Sequence, residues 1–299
     1  MGDTGAAAAA GEEAYVDRVG PVRAIDAHQP LEFSFAPVTQ DMTDLNECYL
    51  RLTLCVRRNG TDTAILESLT PAQTLDPETD VNWTAASGAG KPGVDSKLSV
   101  CNNFFHSLFT QVSVYANEIL LENQTSYAYT AYIQNLLSWD REAKESVLPA
   151  LVGWVSDDAG LYDSATNSAV RKRQSAMLMN SKKIHFKARL NLGVFDMQGA
   201  ARLLPNHVSL KLVLRRNPDA FVLHWLGTQD ARAALTGEHT IDIESATCEV
   251  RRVKIPPTRL REMESRLSKQ MFAYPFQRSQ LKTFNFNADQ SQLEVSNDI

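Results

Sequence analysis

Residues 102–139 read NNFFHSLFTQVSVYANEILLENQTSYAYTAYIQNLLSW. An aromatic-rich start at Phe104-Phe105-His106 leads to Val112 and Val114, then Ile119 and Leu121, which flank Ala116-Asn117-Glu118 in the pattern of a β-hairpin. The period then changes. Tyr129, Tyr132, Ile133, Leu136 and Leu137 recur at i, i+3, i+4, i+7 and i+8, one side of a helix of about three turns. With Ile and Leu interleaved, that stripe is expected to pack on the core, not to stack on bases. The stretch carries no evident chemistry and reads as elements built to pack on one another.

On both sides the chain alternates with period two. Leu31, Phe33 and Phe35 alternate with Glu32 and Ser34; Leu50, Leu52, Leu54 and Val56 alternate with Arg51, Thr53 and Cys55 and stop at the turn pair Asn59-Gly60. Each such aliphatic residue contributes about 1.5–3 kcal/mol when buried. Ile184 to Leu192 and Val208 to Leu214 alternate in the same way. Ile241 and Ile243 begin another run, which Ala246, Cys248 and Val250 continue with shifted parity, predicting a bulge or corner near Ser245. After Pro256-Pro257, residues Leu260, Met263, Leu267 and Met271 predict a helix over Thr258–Gln270, and Leu281–Phe286 a last strand. Residues 75–93 and 156–182 read as long surface excursions. Gly88-Ala89-Gly90-Lys91 fails as a phosphate loop, because Pro92 follows the Lys and Ala85 stands where an earlier Gly is needed. Short strands, long loops and few helices favour an all-β class, an antiparallel β-sandwich or jelly roll.

Composition excludes several functions. A net charge of −5 and only short basic runs, such as Arg171-Lys172-Arg173 and Arg251-Arg252, argue against a large non-specific affinity for nucleic acid. No window approaches the ~20 apolar residues of a membrane span. The N-terminus has no signal-peptide pattern, so a reducing compartment and no secretion are expected, and the sequons at Asn59, Asn82 and Asn123 read as chance matches. Cys48, Cys55, Cys101 and Cys248 form no CxxC and read as reduced thiols. His28, His106, His185, His207, His224 and His239 have no metal-ligand spacing. His106 is expected to be buried and hydrogen-bonded, His185 exposed. No nucleophile elbow or catalytic Cys signature occurs. No catalytic, metal or cofactor residue is assigned, and an enzyme is not expected.

Ordered blocks resemble a known family, the major capsid proteins of Polinton (Maverick) elements and adintoviruses, of the double jelly-roll lineage. The resemblance rests on Pro37 with Thr43-Asp44-Leu45-Asn46-Glu47-Cys48-Tyr49-Leu50, on Asn102 to Phe109 and Gln111 to Tyr115, and on Tyr127-Ala128-Tyr129 with Ala131-Tyr132-Ile133. It extends through Val208 to Leu214, Arg252-Val253-Lys254-Ile255, and Ala273-Tyr274-Pro275 with Thr283-Phe284. Residues 1–28 themselves read as a flexible arm; the resemblance implies a first jelly roll over 29–256, and a connecting helix with the incomplete start of a second barrel over 257–299. The implied role is a structural subunit of an icosahedral virion or transposon capsid. It would form homotrimers that meet neighbouring capsomers and penton or minor capsid proteins, without specific nucleic-acid contacts. In a truncated copy, Thr258–Gln270 and Leu281–Phe286 are expected to lack partners and to leave Leu, Met and Phe exposed. The alternative is a cellular β-sandwich module binding carbohydrate or peptide through an aromatic surface of Trp83, Trp154 or Trp225, which burial of those residues would oppose.

Overall fold

The structure is a computed structural model. It describes residues 14–58 apart from 39, 98–155 apart from 147, 183–195, 203–225 apart from 206, 239–267, and 269, 274 and 276–282. The excursions at 75–93 and 156–182, Trp83, and the strand expected beyond residue 282 lie outside the described residues.

The strands in chain order are β1 (Ala14–Val19), β2 (Leu31–Phe35), β3 (Asp41–Arg58), β4 (Leu98–Val100), β5 (Phe109–Ala116) and β6 (Ile119–Gln124), then β7 (Ile184–Ala188), β8 (Leu203–Leu204), β9 (Leu210–Arg216), β10 (Leu223–Trp225) and β11 (His239–Lys254). Between them lie α1 (Phe104–Ser107), α2 (Tyr127–Ser138), α3 (Arg141–Glu145), α4 (Leu148–Val152) and α5 (Asp219–Val222), with α6 (Pro257–Leu267) after β11. No helix among the described residues is long and apolar enough to cross a membrane.

One sheet has the order β1-β11-β3-β7, with β8 also on β3; the other has β2-β9-β5-β6; β10 and β4 form a separate pair. Among the described residues every pairing is antiparallel. With the short β4, β8 and β10 set aside, the pairing is nested. The first strand meets the last, the second the seventh, the third the sixth, and the fourth the fifth. This is the connectivity of an eight-stranded jelly roll.

The alternating residues explain why two sheets form. Leu31, Phe33 and Phe35 of β2, Leu50, Leu52, Leu54 and Val56 of β3, and Leu210, Leu212 and Leu214 of β9 are buried in one continuous core. Ile241, Ile243, Ala246, Cys248 and Val250 of β11 join them. The parity change expected near Ser245 is a register shift between Ile243 and Ser245 on β3. The hairpin turns at Asn117 and Glu118, with φ of 46° and 66°. Two positive φ values are what a tight two-residue hairpin turn requires.

Within the stretch expected to be a flexible arm, 1–28, the reading is corrected at Ala14–Val19, which is an edge strand on β11; residues 1–13 lie outside the described residues. Its sequence, AYVDRV, has no apolar alternation to reveal it, and Tyr15 and Val16 are exposed. Backbone pairing and polar contacts hold it instead. Tyr15 donates to Asp41 (2.6 Å), Arg18 pairs with Glu249 (3.0 Å) and Asp17 with the buried Arg252 (3.4 Å).

Candidate functional site

The block from Asn102 to Phe109 is the centre of one end of the sandwich. Asn103 has left-handed backbone (φ 59°, ψ 44°), a conformation Asn tolerates better than most residues. Beside it, Asn102 Oδ1 accepts from the Asn103 and Val155 amides (3.0 and 2.8 Å), and its Nδ2 donates to the Val155 carbonyl (2.8 Å). That clamp turns the chain into α1, all four residues of which are buried. Phe104 and Phe105 meet Phe186 of β7 edge to face at 5.6 and 5.9 Å, and Phe105 meets Phe109 at 6.3 Å. Gly153 (φ 68°) lies so close that a Cβ there would stand 3.0 Å from Phe104.

Polar side chains join α1 to α2 inside the protein. The Tyr127 hydroxyl accepts from the Asn191 amide (3.0 Å) and shares a second hydrogen bond with His106 Nδ1 (2.8 Å). Asn135 donates to Asn103 Oδ1 (3.1 Å) and accepts from Asn191 Nδ2 (2.6 Å). Glu122, nearly fully buried, accepts from the amides of Gly193 and Val194 (3.3 and 3.1 Å). Burial lowers the His106 pKa to about 3 and raises that of Tyr127. A neutral imidazole sealed against a neutral phenol is a poor proton shuttle at neutral pH, and the network serves as a lock between elements.

α2 faces the other way from the expected one. Its buried side is Tyr127, Ala128, Thr130, Ala131 and Asn135. The apolar stripe faces out: Tyr129 is 56 % exposed, Leu136 45 % and Leu137 79 %, and Tyr132 and Ile133 are exposed as well. The reason is steric and polar together. Small Ala128 and Ala131 admit α1 closely, and Asn135 finds partners only inward. The outer stripe builds an aromatic surface, with Tyr132 stacked on Trp154 (5.0 Å), Trp139 edge-on to Trp154 (5.6 Å) and Tyr129 edge-on to Phe221 (5.7 Å). α6 is similarly uncovered. Leu260 and Met263 are only half-buried, and no α6 residue with a described side chain is buried. Leu281 and Lys282 lie outside any strand. The chain at 277–279 packs on Gly193, where a Cβ would collide with the Gln277 carbonyl, and Ser279 Oγ accepts from Gln134 of α2 (2.8 Å).

His106 is buried and hydrogen-bonded and His185 is exposed, bonded to Thr53 Oγ1 at 3.0 Å. Among the described residues no group of three or more His, Cys, Asp or Glu side chains is placed to hold a metal ion. Cys48 and Cys248, 200 residues apart, bring their sulfurs to 3.7 Å across β3 and β11, a proximity that sequence spacing did not reveal. The four cysteines are free thiols. Trp154 is 7 % exposed, its indole occupied by Tyr132 and Trp139, which counts against its use in an open ligand-binding surface.

No protein-family model and no curated protein matches the chain. Solved structures do. A Faustovirus major capsid protein aligns with TM-score 0.48 and 10 % identity, over 86 % of this chain and 56 % of that one. PBCV-1 VP54, as fitted into the virophage Sputnik, aligns with TM-score 0.46 and 8 % identity, over 84 % and 45 %. A chain of the Sputnik virophage structure aligns with TM-score 0.48 and 13 % identity, over 81 % and 49 %. The chain thus spans about half the length of the solved structures it matches.

Proposed function

We propose that this protein is a structural, non-enzymatic subunit of a viral or virus-like capsid of the double jelly-roll type. The observation that carries the reading is the nested strand order: a complete jelly-roll connectivity built around the Asn102–Tyr115 block that resembles such proteins. Rigid two-layer sandwiches with apolar surface at one end suit a shell, where neighbours cover what a monomer leaves exposed. The outward stripe of α2 supplies such a surface. Within this reading the closer kinship is to the Polinton and adintovirus capsid proteins, the oligomer is a trimer and the place of action is the virion. Residues 14–256 form the first barrel and residues 257–299 lead towards a second. Leu260 and Met263 of α6, left only half-buried, support that division.

Sedimentation velocity and negative-stain microscopy of the full chain test the proposal. Trimers or larger closed assemblies are the expected result. A protein that stays monomeric at every concentration, with the α2 stripe protected by neither self-association nor a co-expressed downstream domain, would overturn it.

A further inference from the structure

The outer face of the β1-β11-β3-β7 sheet carries a charge imbalance at one place. Across the strands, Arg18 stands opposite Glu249, Glu249 opposite Tyr49, Arg51 opposite both Thr247 and Lys187, and Thr53 opposite both Ser245 and His185. Glu249, only 3 % exposed, receives three cations: Arg18 Nε at 3.0 Å, one Arg51 Nη at 3.1 Å and Lys187 Nζ at 2.7 Å. Among the described residues two positive charges are therefore left over. Further along the same face the balance is one for one, with Arg57 and Lys183 meeting Asp242 and Glu244.

Arg51 and Lys187 are directly opposite on neighbouring strands, an arrangement that costs stability unless an anion lies between or above them. Glu249 answers only part of that cost. The residues surround a cavity of about 330 Å³ whose polar lining adds Thr53, Ser245, Thr247 and His185; among the described residues Glu249 is its only carboxylate. Each guanidinium uses one nitrogen on Glu249 and keeps others for a second acceptor. Forked donors on two arginines, a lysine and hydroxyls at fixed strand positions match a tetrahedral oxyanion better than a planar carboxylate.

We propose that this groove is a phosphate-binding site, with Arg18, Arg51 and Lys187 as the ligating cations and the buried Glu249 as the group that holds them in place. Its surplus charge matches a phosphate dianion, and the cavity has room for more than one linked phosphate. Phosphodiester and free inorganic phosphate offer the same chemistry.

Calorimetric titration of the full chain with tripolyphosphate, in chloride buffer of matched ionic strength, tests the site. Saturable binding at one site per chain is expected, weakened about tenfold by Arg51→Gln through loss of a charge-assisted contact and largely kept by Arg51→Lys. Arg18→Gln provides a second reading on a residue whose side chain is 67 % exposed on an edge strand, so that its loss of affinity does not depend on a damaged core. Competition by inorganic phosphate alone identifies a small-ion site, and competition by a short single-stranded oligonucleotide identifies a phosphodiester site; either supports the proposal. Absence of saturable binding, or binding that both glutamine variants leave unchanged, would overturn it.

Discussion

α1 and α2 lie within one stretch of chain, contact each other, and treat their apolar residues in opposite ways. α1 is only Phe104–Ser107, yet all four side chains are buried and its two phenylalanines hold the end of the sandwich together. α2 is three times longer and turns Ala128, Ala131 and Asn135 inward while Tyr129, Leu136 and Leu137 face out. The difference separates two tasks. The short helix completes a core, and the long one offers apolar surface to something else. Hydrophobic periodicity identifies a stripe, but which way the stripe points is decided by what the opposite face can bond to.

The contrast can be broken most severely at α1. Phe105→Ala should lower unfolding free energy by about 3–5 kcal/mol in urea titrations, because a fully buried ring leaves a cavity among three other aromatic residues. Asn135→Ala strikes the seam between the helices. It removes the partner of Asn103 Oδ1 and Asn191 Nδ2, and should cost about 1–3 kcal/mol by the same measurement.

pH acts on the same seam. The folded pKa of His106 lies near 3, below the ordinary histidine value of about 6.5, so the unfolded chain takes up a proton that the folded one refuses. The stabilising contribution is intact above pH 6.5 and falls away as pH drops towards the folded value. It amounts to about 2 kcal/mol lost between pH 7 and pH 5. Burial pushes the Glu249 carboxyl up but Lys187, Arg18 and Arg51 outweigh it, and Lys183 lowers that of Glu244; with both folded values lowered, their contribution is lost only as pH falls through and below the usual carboxylate range. Urea midpoints measured from pH 7 to 5 should fall, and His106→Gln should flatten that slope. The smallest effect on the monomer belongs to the outer stripe. Leu137→Lys should change unfolding free energy by no more than about 0.5 kcal/mol, while sedimentation shows reduced self-association. A large loss of stability there would mean that α2 belongs to the core after all.

Much of the sandwich was legible in the sequence. The alternation in β2, β3, β9 and β11 named the inward residues, and the parity break at Ser245 named a bulge. β1 was not legible, since an edge strand held by Tyr15–Asp41 and Arg18–Glu249 needs no apolar alternation. The orientation of α2 was hidden for a related reason. The partners of Asn135 are Asn103 and Asn191, 32 and 56 residues away, and no local pattern announces them. The cationic groove is the extreme case. Arg18, Arg51, Lys187 and Glu249 come from four strands, and only sheet register assembles them.

The nested pairing also sets an order in time. The β5–β6 hairpin can close as soon as it is made, β3 must wait for β7, β2 for β9, and β1 for β11 near the end of the described chain. Arg18 and Glu249 are 231 residues apart. At a ribosomal pace of about 5–20 residues per second, the first strand waits roughly 10–50 s for its partner. Pulse-labelling hydrogen exchange during refolding should find β5 and β6 protected first and β1 last; protection of β1 ahead of β3 would contradict this inside-out closure. Until it is paired, Ala14–Val19 carries backbone donors and acceptors that no sheet yet satisfies.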